Sequence, residues 1–374
     1  MKMKAPIRID RKTKNLAKRI SPGEIAVINH RDIDEVAANS LVEKKIKAVI
    51  NADLSISGKY PNKGPEILSE KGITIVDNVG VHIFEALKEE DTIEIDDDGS
   101  VYKEGELICQ GEILDEARIK ELLEIAYGNL SQELENFIDN TIEYAKKEKG
   151  FILGDIGMPR TSVDMEGRHA LVVVRGQNYK DDLSAILSYI EEVKPVLIGV
   201  DGGADALLEF GYKPDIIVGD MDSVSDKSLQ SSKEIIVHAY PDGRAPGLKR
   251  VEDIGLKPIV FPAIGTSEDI AMLLAYENGA ELIVALGTHS NIIDFLEKGR
   301  KGMSSTFLVR MKIGSKLIDA KGVSLLYRSQ LKIKYIWGLI IAALFPVFIV
   351  AYLSPPIQQV LRIMELKMKY LIDL

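Results

Sequence analysis

The chain has 374 residues, 46% hydrophobic and 28% charged, with a formal net charge of −10 and one cysteine. That length allows more than one folded domain, and an acidic balance weighs against DNA or RNA as the main partner. The single Cys109 excludes an internal disulfide and fits a reducing compartment.

Residues 1–112 read as an α/β module. Met1–Ile20 is basic, at +7, and lacks the apolar core of a signal peptide. Ile25–Ile28, Ala48–Ile50, Ile73–Val76 and Ile93–Ile95 are strand-like runs. Asp32–Lys44 and Pro65–Lys71 fit helices between them, the second with Pro at its first position. Asp96–Ser100 reads as a hairpin turn before Val101–Lys103. The pattern, including Gly72–Gly80 and Asp91–Ile95, resembles the swivelling domain of phosphoenolpyruvate-utilising enzymes. Those carry a phosphorylated His in a Gly-rich segment, and Ser55–Gly64 has none. His82 reads as a packed or capping residue, so the module is expected to be structural or a binding domain.

Residues 113–168 read as a helical connector and linker. Leu130, Leu134, Phe137, Ile138, Thr141, Ile142 and Ala145 fall near heptad spacing. A packed connecting helix is the first expectation and a homodimerising helix pair the alternative. Gly150 to Gly167, with Pro159, is the linker.

Residues 169–297 read as a parallel-sheet α/β domain. Its strands are Ala170–Val174, Val196–Val200, Ile216–Val218, Ile235–Ala239, Ile259–Phe261 and Leu282–Leu286, with a helix over Asp182–Glu192. Two of these runs end in Gly and carboxylates: Asp201-Gly202-Gly203-Ala204-Asp205, and Pro214-Asp215 leading to Gly219-Asp220-Met221-Asp222-Ser223. In open α/β sheets the ligand crevice lies at the carboxyl ends of the strands, so Asp201, Asp220 and Asp222 are expected on one edge. Three carboxylates in one crevice repel each other unless a cation joins them, and Mg²⁺ takes a few carboxylates while bridging to phosphates. Gly202, Gly203 and Gly219 would let backbone N–H groups approach those phosphates. Arg175, in the loop after the first strand, could reach a phosphate or form a surface ion pair. Solvated turns and helix caps are the plainer account of the same aspartates.

These residues resemble the motifs of the thiamine pyrophosphokinase family, Asp-Gly-Gly-Ala-Asn and Pro-Asp-x-Ile-x-Gly-Asp-x-Asp-Ser. Asp201, Gly202, Gly203, Ala204, Pro214, Asp215, Gly219, Asp220, Asp222 and Ser223 match, and Asp205 replaces Asn. Ser267-Glu268-Asp269 stands where the family has Thr-Asp before a helix, here Ile270–Ala275. The resemblance implies Mg²⁺ and ATP, or a related nucleotide, and diphosphoryl transfer to an alcohol. It implies catalytic roles for Asp201, Asp220, Asp222 and Asp269, metal binding by the first three, and cofactor contacts from Gly202, Gly203, Gly219, Ser223 and Arg175. The family's Gly-Gly-Arg-x-Asp-His segment has no match after Leu282–Leu286, where Gly287-Thr288-His289-Ser290 follows. The phosphate and metal half of such a site is kept and the thiamine half is not.

Residues 298–334 carry +9, and Ser305–Met311, Lys316–Ile318 and Val323–Tyr327 alternate like short antiparallel strands, a small basic β region beside the membrane. Tyr335–Leu353 has no charge and is long enough for one transmembrane helix, with Tyr335, Trp337 and Tyr352 near its ends and Pro346 inside. The positive-inside rule places the body in the cytoplasm and the tail outside. The acidic body, −27 over residues 21–297, is expected to stand off the lipid with its basic face down. In residues 354–374, Ile357, Val360, Leu361, Met364, Met368 and Leu371 recur at helical spacing, an amphipathic extracytoplasmic tail suited to lipid or to a partner helix.

The order of parts, with Gly265–Ala271 and Glu297–Met303, resembles the SteA family of bacterial cytokinetic-ring-associated proteins. That implies control of cell division or cell separation at the cell membrane, with a membrane-bound division partner, for which residues 335–374 are the candidate docking segment. Two functions follow: a membrane-anchored regulator that binds a Mg-nucleotide or diphosphate, or an active ATP-dependent diphosphokinase on an unidentified alcohol.

Overall fold

The computed structural model describes residues 3–154, 157–326 and 333–372. The chain divides into two compact units, Met1–Val323 and Ser324–Leu374.

The first module of the larger unit runs β1 (Met3–Ile9), α1 (Thr13–Arg19), β2 (Ile25–Ile28), α2 (Glu35–Glu43), β3 (Ala48–Asn51), α3 (Gly64–Glu70), β4 (Thr74–Asp77), α4 (Ile83–Ala86), β5 (Thr92–Ile95), β6 (Ser100–Lys103), β7 (Glu106–Gln110) and β8 (Glu112–Ile113). The strands form one sheet in the order β7-β6-β5-β1-β2-β3-β4-β8. β1 to β4 are parallel neighbours, and the flanking strands pair antiparallel. Ala26, Ile28, Val49 and Ile75 face one apolar cluster, while Ile25, Val27, Ile50 and Val76 face the other, as period-2 strands covered on both sides require. His82 is exposed, and its side chain does not cap α4, contrary to the packed or capping role expected of it.

Next come α5 (Glu116–Glu148) and α6 (Gly150–Leu153). The Asp115 side chain caps α5 by accepting from the Arg118 N–H at 2.7 Å. Early in α5, Ile119 joins the core of the first module, and further along Phe137 packs against Phe295 with ring centroids 6.3 Å apart and the rings tilted by 49°. One helix therefore straps both modules together.

The second module runs β9 (His169–Val173), α7 (Tyr179–Ala185), α8 (Leu187–Val193), β10 (Val196–Val200), α9 (Gly203–Glu209), β11 (Ile216–Gly219), α10 (Asp226–Ser231), β12 (Glu234–Ala239), α11 (Leu248–Asp253), β13 (Ile259–Pro262), α12 (Ser267–Glu277), β14 (Leu282–Leu286), α13 (Ile292–Glu297), α14 (Ser304–Ile313), β15 (Leu317–Asp319) and α15 (Val323–Leu326). The single helix expected over 182–192 is instead broken at Ile186, whose φ is −109° and ψ 13°. Seven parallel strands form the sheet β13-β12-β11-β10-β9-β14-β15. α12 packs across it, buried from Glu268 through Ala275. The strand order reverses at β9, between β10 and β14, which places the crevice at the carboxyl ends of these strands. There two loops interlock: a Cβ on Gly176 would stand 2.0 Å from Gly287 O, and one on Gly287 (φ +69°) would stand 2.2 Å from Val174 O.

The β region expected over 298–334 is not formed. Ser305, Leu308, Val309 and Ile313 are buried as one side of α14 against α5 and α12, so helical spacing overrides local alternation. Leu317–Asp319 joins the main sheet parallel to β14. Val323–Leu326 is helical, and Tyr327 lies outside the described residues. Among the described residues, several basic side chains here pair within the module: Arg310 with Asp319 at 3.1 Å, Lys312 with Glu277 at 2.5 Å and Lys321 with Asp294 at 2.7 Å.

The smaller unit contains α16 (Ile333–Leu353), with Pro346 inside, and α17 (Pro355–Ile372). Among the described residues no single helix is long and apolar enough to cross a membrane. Gly338–Val350 and Pro355–Tyr370 meet that requirement only as a pair, bent by 91°. Tyr335 and Trp337, expected at one end of a span, lie outside the described side chains.

Candidate functional site

Asp201 ends β10 in the left-handed region, φ +46°, a conformation that Asp tolerates better than most residues. Its own N–H donates to Val218 O at 3.0 Å, and its Oδ1 accepts from the Asp220 N–H at 3.0 Å. The side chain thus bridges the ends of β10 and β11. Gly219 makes the room: a Cβ there would sit 1.9 Å from Asp201 Oδ1. Asp220 Oδ1 in turn accepts from the Asp222 N–H at 2.9 Å. Arg250 pins this loop from behind, donating to Met221 O at 2.6 Å and Val224 O at 2.7 Å.

Burial, then the neighbouring Asp220 charge, push the Asp201 carboxyl up to about 7. A divalent cation relieves such a pair, and Mg²⁺ is satisfied by one or two carboxylates plus waters and phosphates. Asp201 and Asp220 fit that requirement. The three-carboxylate metal site expected from sequence is not formed: among the described residues no group of three His, Cys, Asp or Glu side chains is placed to hold a metal ion. Asp222 is exposed, offering its N–H to Asp220.

The glycines serve packing rather than open access. A Cβ on Gly203 would stand 1.9 Å from Val173 O, so α9 lies against β9 only because this residue lacks a side chain. A Cβ on Gly202 would meet Arg175 Cδ at 2.9 Å. Arg175 lies over Gly202, donates to Glu209 Oε1 at 2.5 Å and leaves its buried Nε without a hydrogen-bond partner. Asp205, where the sequence departs from Asn, accepts from the Ser225 N–H and from the Ser228 hydroxyl at 2.5 Å, locking α9 to the motif loop.

Asp269 is not a cleft residue. It is fully buried, and its Oδ2 accepts from the hydroxyls of Thr266 (2.8 Å), Ser305 (2.8 Å) and Thr306 (2.9 Å). It completes a capping box on α12 and fastens α14 to it, so the catalytic role expected for it is withdrawn. The adjacent Glu268 faces the cleft instead. Glu268 Oε1 lies 2.6 Å from His289 Nδ1 and accepts from Lys298 Nζ at 3.1 Å, and Oε2 accepts from the His289 N–H at 2.9 Å. Burial raises the Glu268 carboxyl, but His289 and Lys298 outweigh it and hold it down at about 2. Glu268, His289 and Lys298 were missed as a group because they come together only in three dimensions. The one signal in the sequence was the acid beside Asp269.

Asp201, Asp220, Glu268, Lys298 and their neighbours line one cleft of about 1010 Å³, whereas Gly203, Asp205, Gly219, Asp222, Arg250 and Asp269 are not part of its lining. Arg175, Asp201, Gly202, Asp220, Ser223 and His289 line its second-module side, and residues of the first module line the other.

Comparison with known proteins agrees with the motif reading. Residues 170–244 match the model of the thiamin pyrophosphokinase catalytic domain, and residues 321–372 match the SteA-like C-terminal domain. The chain is therefore thiamin-pyrophosphokinase-like in its second module and SteA-like at its C-terminus. Among solved structures it is similar to thiamine pyrophosphokinase from Bacillus subtilis, with 21% identity and a TM-score of 0.25, over 40% of this chain. The match spans 60% of that protein's length. A second likeness, to the apo-structure of D-lactate dehydrogenase from Escherichia coli, has 12% identity and a TM-score of 0.14 over 80% of this chain and 84% of that one. No curated protein matches.

Proposed function

We propose that this protein is a membrane-anchored regulator of bacterial cell division or cell separation, whose second module binds a Mg-nucleotide or a diphosphate. The observation that carries the binding reading is the Asp201–Asp220 pair at the ends of two parallel strands inside a 1010 Å³ cleft. Asp201 and Asp220 would hold the cation, which supplies charge neutralisation at the phosphates. Arg175 borders the same wall. The SteA-like C-terminal match supports the division role. The uncharged run Tyr335–Leu353 supports a single span, with the body cytoplasmic and the tail outside. In α17, Ile357, Val360, Leu361, Met364 and Met368 recur at helical spacing and suit lipid or a membrane-bound division partner.

A second reading, an ATP-dependent diphosphokinase, is favoured by the Glu268–His289 pair. In the tautomer whose Nδ1–H donates to Glu268, rather than the one whose Nδ1 accepts from Lys298, Nε2 is free to take a proton from an acceptor hydroxyl. The acceptor oxygen would attack the β-phosphorus of ATP, the bond from that phosphorus to the α–β bridging oxygen would break, and AMP would leave with the electron pair. Incubating the full chain in detergent with Mg-ATP and a panel of alcohols separates the two. Binding without AMP release supports the regulator, and Mg-dependent AMP release supports the kinase.

A further inference from the structure

The wall of the cleft that faces Asp201 and Asp220 belongs to the other module. Arg11, Lys12, Lys14 and Lys18, from the β1–α1 connection and α1, line it, beside Asp34, which faces His30 at 3.4 Å, and Glu43. All four are exposed, and residues 11–19 contain no acid. Arg11 lies over the Phe84 ring at 4.9 Å. Among the described residues Lys12, Lys14 and Lys18 form no ion pair, in a chain whose residues 21–297 sum to −27. Lys14 Nζ reaches across and donates to Ser223 Oγ at 3.3 Å, contacting the motif loop itself. Gln177 and Glu35 make a second bridge between the modules.

Unpaired lysines held over a cleft in an acidic protein repel one another, and an anion between them removes that cost. On the opposite wall Asp201 and Asp220 need a cation before an anion can rest on them, and Arg175 and Lys298 are already paired with Glu209 and Glu268. We infer that the first module is the second half of the binding site: Lys12, Lys14 and Lys18 hold the phosphate oxygens of a ligand whose metal-bridged end rests on Asp201 and Asp220. The ligand class is a nucleoside di- or triphosphate, or another diphosphate ester, long enough to touch both walls. This rests on the Mg-phosphate reading of the second module. It also gives the basic N-terminus a role other than facing lipid, because those residues line the cleft.

The test is calorimetric titration of the full chain in detergent with Mg-ATP, Mg-pyrophosphate and AMP. It compares wild type with Lys12→Gln/Lys14→Gln/Lys18→Gln and with Asp201→Asn/Asp220→Asn. The lysines are exposed, so the triple variant should keep the wild-type melting temperature. The clamp predicts binding of ATP and pyrophosphate at least about tenfold weaker in the triple variant, with a flatter salt dependence. Equal binding by wild type and triple variant overturns the clamp and leaves the Mg-phosphate reading standing. Absence of Mg-dependent binding by wild type overturns that reading and the clamp with it.

Discussion

The Asp220 backbone N–H donates to Asp201 Oδ1 at 3.0 Å, so the carboxylate that ties two strand ends together is also the one that faces the cleft. Burial and the Asp220 charge raise that carboxyl to about 7. The folded protein then holds the proton more tightly than the unfolded chain does, and ionising Asp201 opposes folding. The penalty is absent below about pH 4, grows towards pH 7 and is complete above it. Asp201→Asn should therefore raise the melting temperature at pH 8 and leave it nearly unchanged at pH 4. In wild type, Mg-dependent ligand affinity should rise by about tenfold per pH unit up to about pH 7 and then level off.

Gly219 should be intolerant of any side chain. Alanine there brings a Cβ to 1.9 Å from Asp201 Oδ1, and Asp201 cannot swing away without losing its bond to Asp220. Gly219→Ala should cost about 1–3 kcal/mol in urea unfolding and abolish Mg-dependent ligand binding. Gly128→Ala is the control. Nothing lies within 4 Å of its Cβ position in the middle of α5, so it should stabilise by about 0.5–1 kcal/mol.

Asp269 should matter to stability and not to ligand contact. Asp269→Ala leaves the hydroxyls of Thr266, Ser305 and Thr306 without their shared acceptor and removes half of a capping box. The expected loss is about 2–4 kcal/mol in urea unfolding. Titration of the folded variant below its melting temperature should return the wild-type ligand affinity. A selective loss of binding by a stably folded variant would restore Asp269 to the site.

The full chain should sediment with membranes and resist carbonate extraction, and a chain ended after Val323 should be released to the soluble fraction. Carbonate-extractable full-length protein would count against a span and leave only peripheral attachment.

Most of the strands were legible because buried parallel strands read as short apolar runs: Val196–Val200 and Ile216–Gly219 are wholly buried, and their Gly and Asp ends fall at the crevice. β1 was not, because Lys4, Pro6 and Arg8 masked the alternation of buried Ala5 and Ile7, and the segment read as a basic flank. α14 was misread because alternation over seven residues fits a strand or a helix, and only packing on α5 and α12 decides. At Glu268 and Asp269 the sequence offers two adjacent acids. One residue along a helix is about 100° of rotation, enough to send one carboxylate to the cleft and the other to the core. His289 and Lys298 join Glu268 from loops 21 and 30 residues away, a distance no local pattern encodes.

The most direct test is calorimetric titration of the full chain with ATP and ADP, with and without Mg²⁺, beside an Asp201→Asn/Asp220→Asn variant. The account predicts Mg-dependent binding by the wild type that the variant loses while remaining folded. A folded wild type that binds neither nucleotide, or binds both equally well without Mg²⁺ and in the variant, would contradict it.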